Sequence, residues 1–343
     1  MPFPELLKRA LDAALARRGF ERIASRLVYP WQRTPIDLPS HSGAALPPGA
    51  AEALRADHPR LLELRRAYRE LASPLAQDPV WTNALLATAD LRQFRGDNPY
   101  VFQLRGRNFN ALGYAVSYYC ARRVGEIERL VLLDRLEEDG LFGVHTFEID
   151  GRRISRDLLD SALELAFLER HLGLSQGPRR TLLDIGAGYG RLAHRGATAF
   201  PETTRWLATD AIPTSTFLCE YYLGFRALGE RASAVPLHEL AAAIRPGEVD
   251  VAVNIHSFSE CSLAAIDAWI ALLAGARVEH LMVVPNAVGA DGITMLTNQG
   301  ADFSRIVSAH GYRCIAAEPK YPDPLVQEYG VSPAAHLLFE LRG

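Results

Sequence analysis

The sequence predicts an α/β protein: an open, Rossmann-like sheet of seven strands over residues 176–343, preceded by a mostly helical N-terminal domain over residues 1–175. Three observations predict it. A buried-strand pattern, Thr181–Ile185, runs straight into the turn Gly186-Ala187-Gly188-Tyr189-Gly190, and Arg191-Leu192-Ala193-His194 then opens a helix. Strand-sized apolar runs alternate with helical periodicity from there onward. Before residue 175 the apolar residues recur at helical spacing instead.

Taken in order, Leu6, Leu7, Leu11, Ala14 and Leu15 form a helical face, with Gly19 where a C-cap glycine belongs. Residues 30–50, rich in Pro, Ser and Gly, read as an irregular connection. A second helix starts near Pro59 with Leu61, Leu64, Tyr68 and Leu71 on one face, because proline suits the first helical position. Asp78-Pro79 starts another running toward Leu91, Asn108–Val124 is a longer one, and Leu130–Glu137 a short one. Phe142–Ile149 alternates as a short strand closed by an Asp150-Gly151 turn. Ser155 is placed to cap the last N-terminal helix. Ser175-Gln176-Gly177-Pro178 marks the boundary. The core strands are expected at 181–185, 205–209, 232–236, 249–254, 280–285, 312–317 and 335–341.

Composition narrows the function classes. With 48% hydrophobic and 22% charged residues the chain is an ordinary globular protein. Its net charge of −3 gives no electrostatic footprint for a nucleic-acid partner. Cys120, Cys219, Cys261 and Cys314 lack the close pairing of zinc motifs, and no group with metal-ligand spacing is seen, so no metal is expected. No apolar run has the length of a membrane span, and the N-terminus lacks the pattern of a secretory signal, so a cytoplasmic protein is expected. Apolar stretches in the helical half leave a homodimer open.

The glycine turn carries the chemistry. Glycines there let the backbone pass within contact distance of a ligand, and the helix behind them presents N–H groups and a positive dipole end. The dinucleotide fingerprint Gly-x-Gly-x-x-Gly, counted from Gly186, would place its third glycine at Arg191, where the side chain fits poorly. Asp184-x-Gly186-x-Gly188-x-Gly190 resembles motif I of the class I S-adenosylmethionine (SAM) methyltransferases. A second strand ends in Asp210, 20 residues after Gly190, where a carboxylate can accept ribose hydroxyls. The resemblance implies that Asp184, Gly186, Ala187, Gly188, Gly190, Asp210 and Ala211 hold SAM. Leu237 and His238, after the third strand, are implied beside the adenine, and Asn254 ends the fourth strand at the cofactor.

The other unusual segment is Val249–Cys261, a buried strand ending in Asn254, His256, Ser257, Ser259 and Glu260. Ligands of open α/β sheets bind at the carboxyl ends of strands. Asn254 followed by Ser257-Phe258-Ser259-Glu260 resembles the sugar O-methyltransferases of bacterial natural-product pathways, with Cys261 where that family has methionine. Gly140-Leu141-Phe142-Gly143, Tyr221-Tyr222-Leu223 and His310-Gly311-Tyr312 fit the same resemblance, which spans roughly residues 95–341. It departs at Asn286, which Ala287 follows in place of arginine. The resemblance implies SAM as cofactor and methyl transfer to a hydroxyl of a sugar or sugar-bearing small molecule.

A sugar hydroxyl needs a base as the new bond forms. His256, with Glu260 as its carboxylate partner one helical turn away, is the first candidate, and His145 the second. The same residues also read as helix capping by Ser257 or Ser259 with Glu260 in the first turn. Ser257, Asn286 and Tyr114 are candidate acceptor contacts; Tyr114 belongs to an aromatic and cationic group with Tyr100, Tyr118, Tyr119, Arg105 and Arg107. Two other chemistries suit parts of the pattern: C- or N-methylation of an aromatic acceptor such as an indole, and an NAD(P)-dependent oxidoreductase, which Arg191 disfavours.

Overall fold

The computed structural model describes residues 45–71, 73–76, 81, 89–96, 111–127, 129–286 and 295–342. The expected helix at 5–19, most of the connection at 30–50 and most of the helix at 78–91 lie outside the described residues. So do Tyr100, Arg105 and Arg107 of the aromatic and cationic group. Helix α1 (Pro59–Leu71) buries Leu61, Leu64 and Tyr68, one face at i, i+3 and i+7. Helix α2 (Ala111–Ile127) and a single turn at Leu132–Arg135 follow. The expected strand is the first half of a hairpin, β1 (Thr146–Ile149) with β2 (Arg152–Ser155). Asp150 and Gly151 both have positive φ, 52° and 69°, as a two-residue turn joining right-twisted strands requires. Ser155 Oγ accepts the Leu158 N–H at 3.0 Å and starts α3 (Arg156–Leu172), which Gly173 ends at φ 61°.

The core then alternates: β3 (Arg180–Ile185), α4 (Arg191–Ala199), β4 (Thr204–Thr209), α5 (Pro213–Phe225), β5 (Ala232–Ala234), β6 (Val251–Ile255), α6 (Leu263–Gly275), β7 (His280–Val284), α7 (Ser304–Ala309), β8 (Tyr312–Pro319), α8 (Pro324–Tyr329) and β9 (Ala335–Leu341). The seven strands lie in the order β5-β4-β3-β6-β7-β9-β8. β3 pairs in parallel with both β4 and β6, whereas β9 runs antiparallel between β7 and β8. The central strands are apolar on both faces, as a sheet covered by helices on both sides demands. One buried cluster runs from Ala50 to Phe339, so α1–α3 share the core of the sheet. Among the described residues no helix is long and apolar enough to cross a membrane.

Close packing of α4 on β4 is made by a residue outside the motif. A Cβ on Gly196 would come within 2.2 Å of the Trp206 ring, which is wholly buried. The close approach that a third glycine allows in dinucleotide folds is made here further along the helix, at Gly196, which leaves position 191 free to carry arginine.

Acidic residues line the inner face of α3: Asp157, Asp160 and Glu164 are each 3% exposed or less. Each has a cationic or hydroxyl partner from elsewhere in the chain. Arg191 grips Glu164 with two N–H groups at 2.8 and 3.1 Å, and Lys320 and Arg156 meet on Asp160. Tyr189 donates its hydroxyl to Asp157. Beside them Arg95 and Arg195 converge on Glu138, at 2.8 and 3.1 Å. Burial pushes the Glu138 carboxyl up, but the two guanidiniums outweigh it and hold the group at about 2.

Gly196→Ala should overpack the α4–Trp206 contact and destabilise the protein by at least about 1–3 kcal/mol in urea denaturation. An unchanged midpoint would mean that the helix can lift from β4 without cost.

Candidate active site

After β3 the chain builds β4 and β5 outward on one side, then crosses to place β6 on the other. The carboxyl ends of β3 and β6 therefore diverge into loops on opposite sides, which is where open α/β sheets bind ligands. A cavity of about 200 Å³ opens there, room for far more than a single water. The glycine turn and Asp210-Ala211 form one wall; His256, Ser257 and Glu260, with Asn286 beyond them, form the facing one.

Gly186, Gly188 and Gly190 have φ of 71°, 58° and 85°, the left-handed region that favours glycine. Their surroundings differ. A Cβ on Gly186 would lie 2.2 Å from Ser257 Oγ, so the ends of β3 and β6 touch through this pair. A Cβ on Gly190 would press on Cys219 and Leu223 of α5, whereas one on Gly188 would meet nothing within 4 Å. Gly188 is the open point of the turn.

The turn uses its own donors. Thr209 O accepts the N–H groups of Gly186 and Ala187, at 2.9 and 3.1 Å, and Ala187 O accepts that of Gly190 at 2.9 Å. Asp210 takes the Gly188 N–H on one oxygen at 2.9 Å and the Ile212 N–H on the other at 2.8 Å. The buried Asp184 carboxylate accepts the Ala193 N–H in the first turn of α4. A pyrophosphate cradle needs such N–H groups aimed outward; here they hold the turn to the neighbouring strand. Burial pushes the Asp184 carboxyl up to about 7, against the pull of Arg191.

The tip of β6 is built by Asn254 rather than by a serine cap. Fully buried, Asn254 donates to Ile185 O at 3.1 Å and accepts the Phe258 N–H at 2.8 Å, clipping β6 to β3 and closing the turn Ser257–Glu260. It clips the two strands, and it is not among the residues that line the cavity. The turn is a 3-10 turn that ends at Cys261, and Ser262 caps α6. The expected α-helical juxtaposition of His256 with Glu260 is thus not formed. Instead Glu260 accepts the Trp81 indole N–H at 2.8 Å. His256 stands at φ 67°, an uncommon conformation for a residue with a side chain, with its N–H on Val284 O at 2.7 Å. Ser259 Oγ accepts the Asn286 N–H at 3.0 Å, holding the end of β7 against this turn.

Four other expected site residues lie elsewhere. Leu237 is buried and donates its N–H to the Tyr68 hydroxyl at 2.8 Å. His238 faces outward beside Glu239. His145 is buried just ahead of β1, and the Tyr114 ring packs 4.3 Å from Phe147. None of these lines the cavity. Residues not foreseen do: Trp81, Arg156, Asp157 and Ser215, and Arg191, which reads in the sequence only as a misfit. Arg156 and Asp157 directly follow the Ser155 cap, so the start of α3 was the available signal; Trp81 had none.

A group of Glu279, His280 and Glu340, with ligand-type atoms within 4.8 Å of one another, lies at the opposite end of β7 from the cavity.

No family model matches the chain, and no curated protein matches it. Among solved structures it is similar to the mitomycin 7-O-methyltransferase, with 18% identity over 54% of this chain and 56% of that one and a TM-score of 0.39. The chain therefore spans little more than half the length of that enzyme. It is similar to the magnesium protoporphyrin IX methyltransferase of Synechocystis PCC 6803 with bound S-adenosylhomocysteine (SAH), with 13% identity over 66% and 95% and a TM-score of 0.41. For the geranyl diphosphate C-methyltransferase of Streptomyces coelicolor A3(2) the values are 14%, 54% and 80%, and 0.40. Strand order, the crossing between β3 and β6 and the antiparallel β9 make the fold that of the class I SAM-dependent methyltransferases.

The state of Asp184 can be tested by pH. Its folded value, about 7, lies above the unfolded one of about 4, so the folded protein holds the extra proton between them. Stability should fall as pH rises through that window, by up to about 1.4 kcal/mol per pH unit, and level off above it. Asp184→Asn removes this slope, so urea denaturation across the pH series should favour the variant increasingly toward pH 7. A pH-independent difference would show an ordinary carboxyl.

Proposed function

We propose that this chain is a SAM-dependent methyltransferase that methylates a hydroxyl of a sugar or sugar-bearing small molecule. The observation that carries the cofactor is the donor accounting of the glycine turn: a tight backbone with one open glycine and an acidic rim, in which the N–H groups of Gly186, Ala187, Gly188 and Gly190 are engaged within the protein. That suits a ligand that presents hydroxyls and an amino-acid end, and it suits a pyrophosphate poorly. Asp210 stands on the cavity wall with its carboxylate anchored by the Gly188 and Ile212 N–H groups, and a carboxylate at the end of the second strand of such a sheet can accept ribose hydroxyls.

Bound SAM supplies an electrophilic methyl group on a sulfonium. What the chain contributes is placement and a proton acceptor. Gly188 leaves space beside the turn, and Ser257, packed on Gly186, fixes how far the β6 tip stands from it. His256, on that tip and on the cavity wall, is the group we assign to receive the acceptor's hydroxyl proton. Its left-handed backbone is held from both sides, by its own N–H on Val284 O and by the Asn254 clip two residues earlier. Strain of this kind persists where the surroundings enforce it, and such sites are often functional. Glu260, fixed by the Trp81 indole, offers a carboxylate on the same wall that can accept acceptor hydroxyls.

Titration calorimetry should show binding of SAM and SAH and none of NAD; binding of NAD alone would end this reading. Asp210→Ala should weaken SAH by about 10- to 100-fold. His256→Ala should leave SAH affinity unchanged while turnover on a glycoside acceptor drops by about 10²- to 10⁴-fold. Equal turnover would remove His256 as the base.

A further inference from the structure

Helix α1 precedes the sheet by more than a hundred residues, yet its last turn is fastened to the ends of two core strands. Tyr68 is 6% exposed, and its hydroxyl joins three groups. It accepts the Leu237 N–H at 2.8 Å, it donates to the Asp210 carbonyl oxygen at 3.3 Å, and a 2.8 Å hydrogen bond links it to Thr216 Oγ1. Asp210 follows β4 and Leu237 lies just beyond β5, so the hydroxyl ties the turns that leave two neighbouring strands. The helix carrying it is anchored independently on α5. Arg60 clasps Glu220 with two hydrogen bonds, at 3.0 and 2.6 Å, and the His58 ring lies 5.1 Å from that of Phe217.

We propose that Tyr68 is a positioning residue of the cofactor site, one that sets the Asp210 turn from behind and thereby determines affinity for the nucleoside part of the ligand. The inference rests on reading the cavity as a SAM site with Asp210 at the ribose. The physical chain is short. Asp210 orients its carboxylate through a backbone whose carbonyl Tyr68 holds, while its oxygens grip Gly188 and Ile212. The opposite partner, the Leu237 N–H, is buried, so losing the hydroxyl leaves a donor without its acceptor and releases both turns. Tyr68 itself does not line the cavity. Tyr68 shares the buried face of its helix with Leu61 and Leu64, and its ring meets that of His238 edge-on, 6.0 Å away, so tyrosine-to-phenylalanine exchange removes one oxygen and keeps the ring.

The test compares wild type with Tyr68→Phe by calorimetry, using SAH and 5′-methylthioadenosine, which lacks the amino-acid end. Wild-type binding of SAH establishes the cofactor reading; without it that reading fails, and the present inference with it. Given that binding, Tyr68→Phe should weaken both ligands by the same factor, about 5- to 20-fold. KM for SAM should rise while KM for the acceptor and kcat at saturation hold. Wild-type affinity in the variant, or a loss confined to SAH, overturns the proposal, as does a loss spread over kcat and acceptor KM. If the variant does not fold, amide exchange in the wild-type protein decides. A Leu237 amide that exchanges only with global unfolding supports the latch, and one that exchanges at the rate of an open loop refutes it.

Discussion

The site depends on a mutual grip between the loops that end β3 and β4. Thr209 and Asp210 take three N–H groups of the glycine turn, while the turn's left-handed residues let the chain bend tightly enough to offer them. Neither loop has this shape without the other. The β6 tip is then set against the same turn by Ser257 on Gly186 and by Asn254 on Ile185 O. The cavity is the space left between loops that already satisfy one another, so it is formed by the backbone before any ligand arrives.

Behind that backbone stands a layer of buried charge. Arg191, next to the turn, is held by Glu164, and Tyr189, within the turn, by Asp157. Buried ion pairs are weak contributors to net stability, since desolvation offsets their attraction, but removing one partner is costly. Their effect here is to fix orientation. A guanidinium bound through two N–H groups has one placement, and through it the first turn of α4 is locked to α3.

The seven core strands were legible because apolar runs of strand length, punctuated by turns, determine a sheet covered on both faces. The glycine turn was legible because its left-handed backbone favours glycine, and Asp210 because a carboxylate at that strand end takes the N–H groups of Gly188 and Ile212. The clip made by Asn254 was not legible, because a polar residue at a strand end looks the same in sequence whether it faces a ligand or ties two strands. His256 and Glu260 flank a 3-10 turn where an α-helix was expected, which changes the angle between side chains four apart. The acidic face of α3 was the least legible. Asp157, Asp160 and Glu164 recur at helical spacing as a solvated stripe would, and only partners far away in sequence make that stripe an inner one. Trp81 and Tyr68 reach the site through long-range contacts of the same kind.

That inward acidic face has a consequence for how the chain acquires its structure. α3 can be covered only after its counterions arrive, and they come from widely separated stretches: Arg191 shortly afterwards, and Lys320 some 160 positions beyond Asp160. Until Lys320 docks, the Asp160 carboxylate near the start of the helix would be desolvated without one of its counterions. Contacts of such long loop closure form late and slowly. The helical half and the sheet should therefore mature together, in a single cooperative event near the completion of folding, and the ligand cavity would exist only in chains that had passed it.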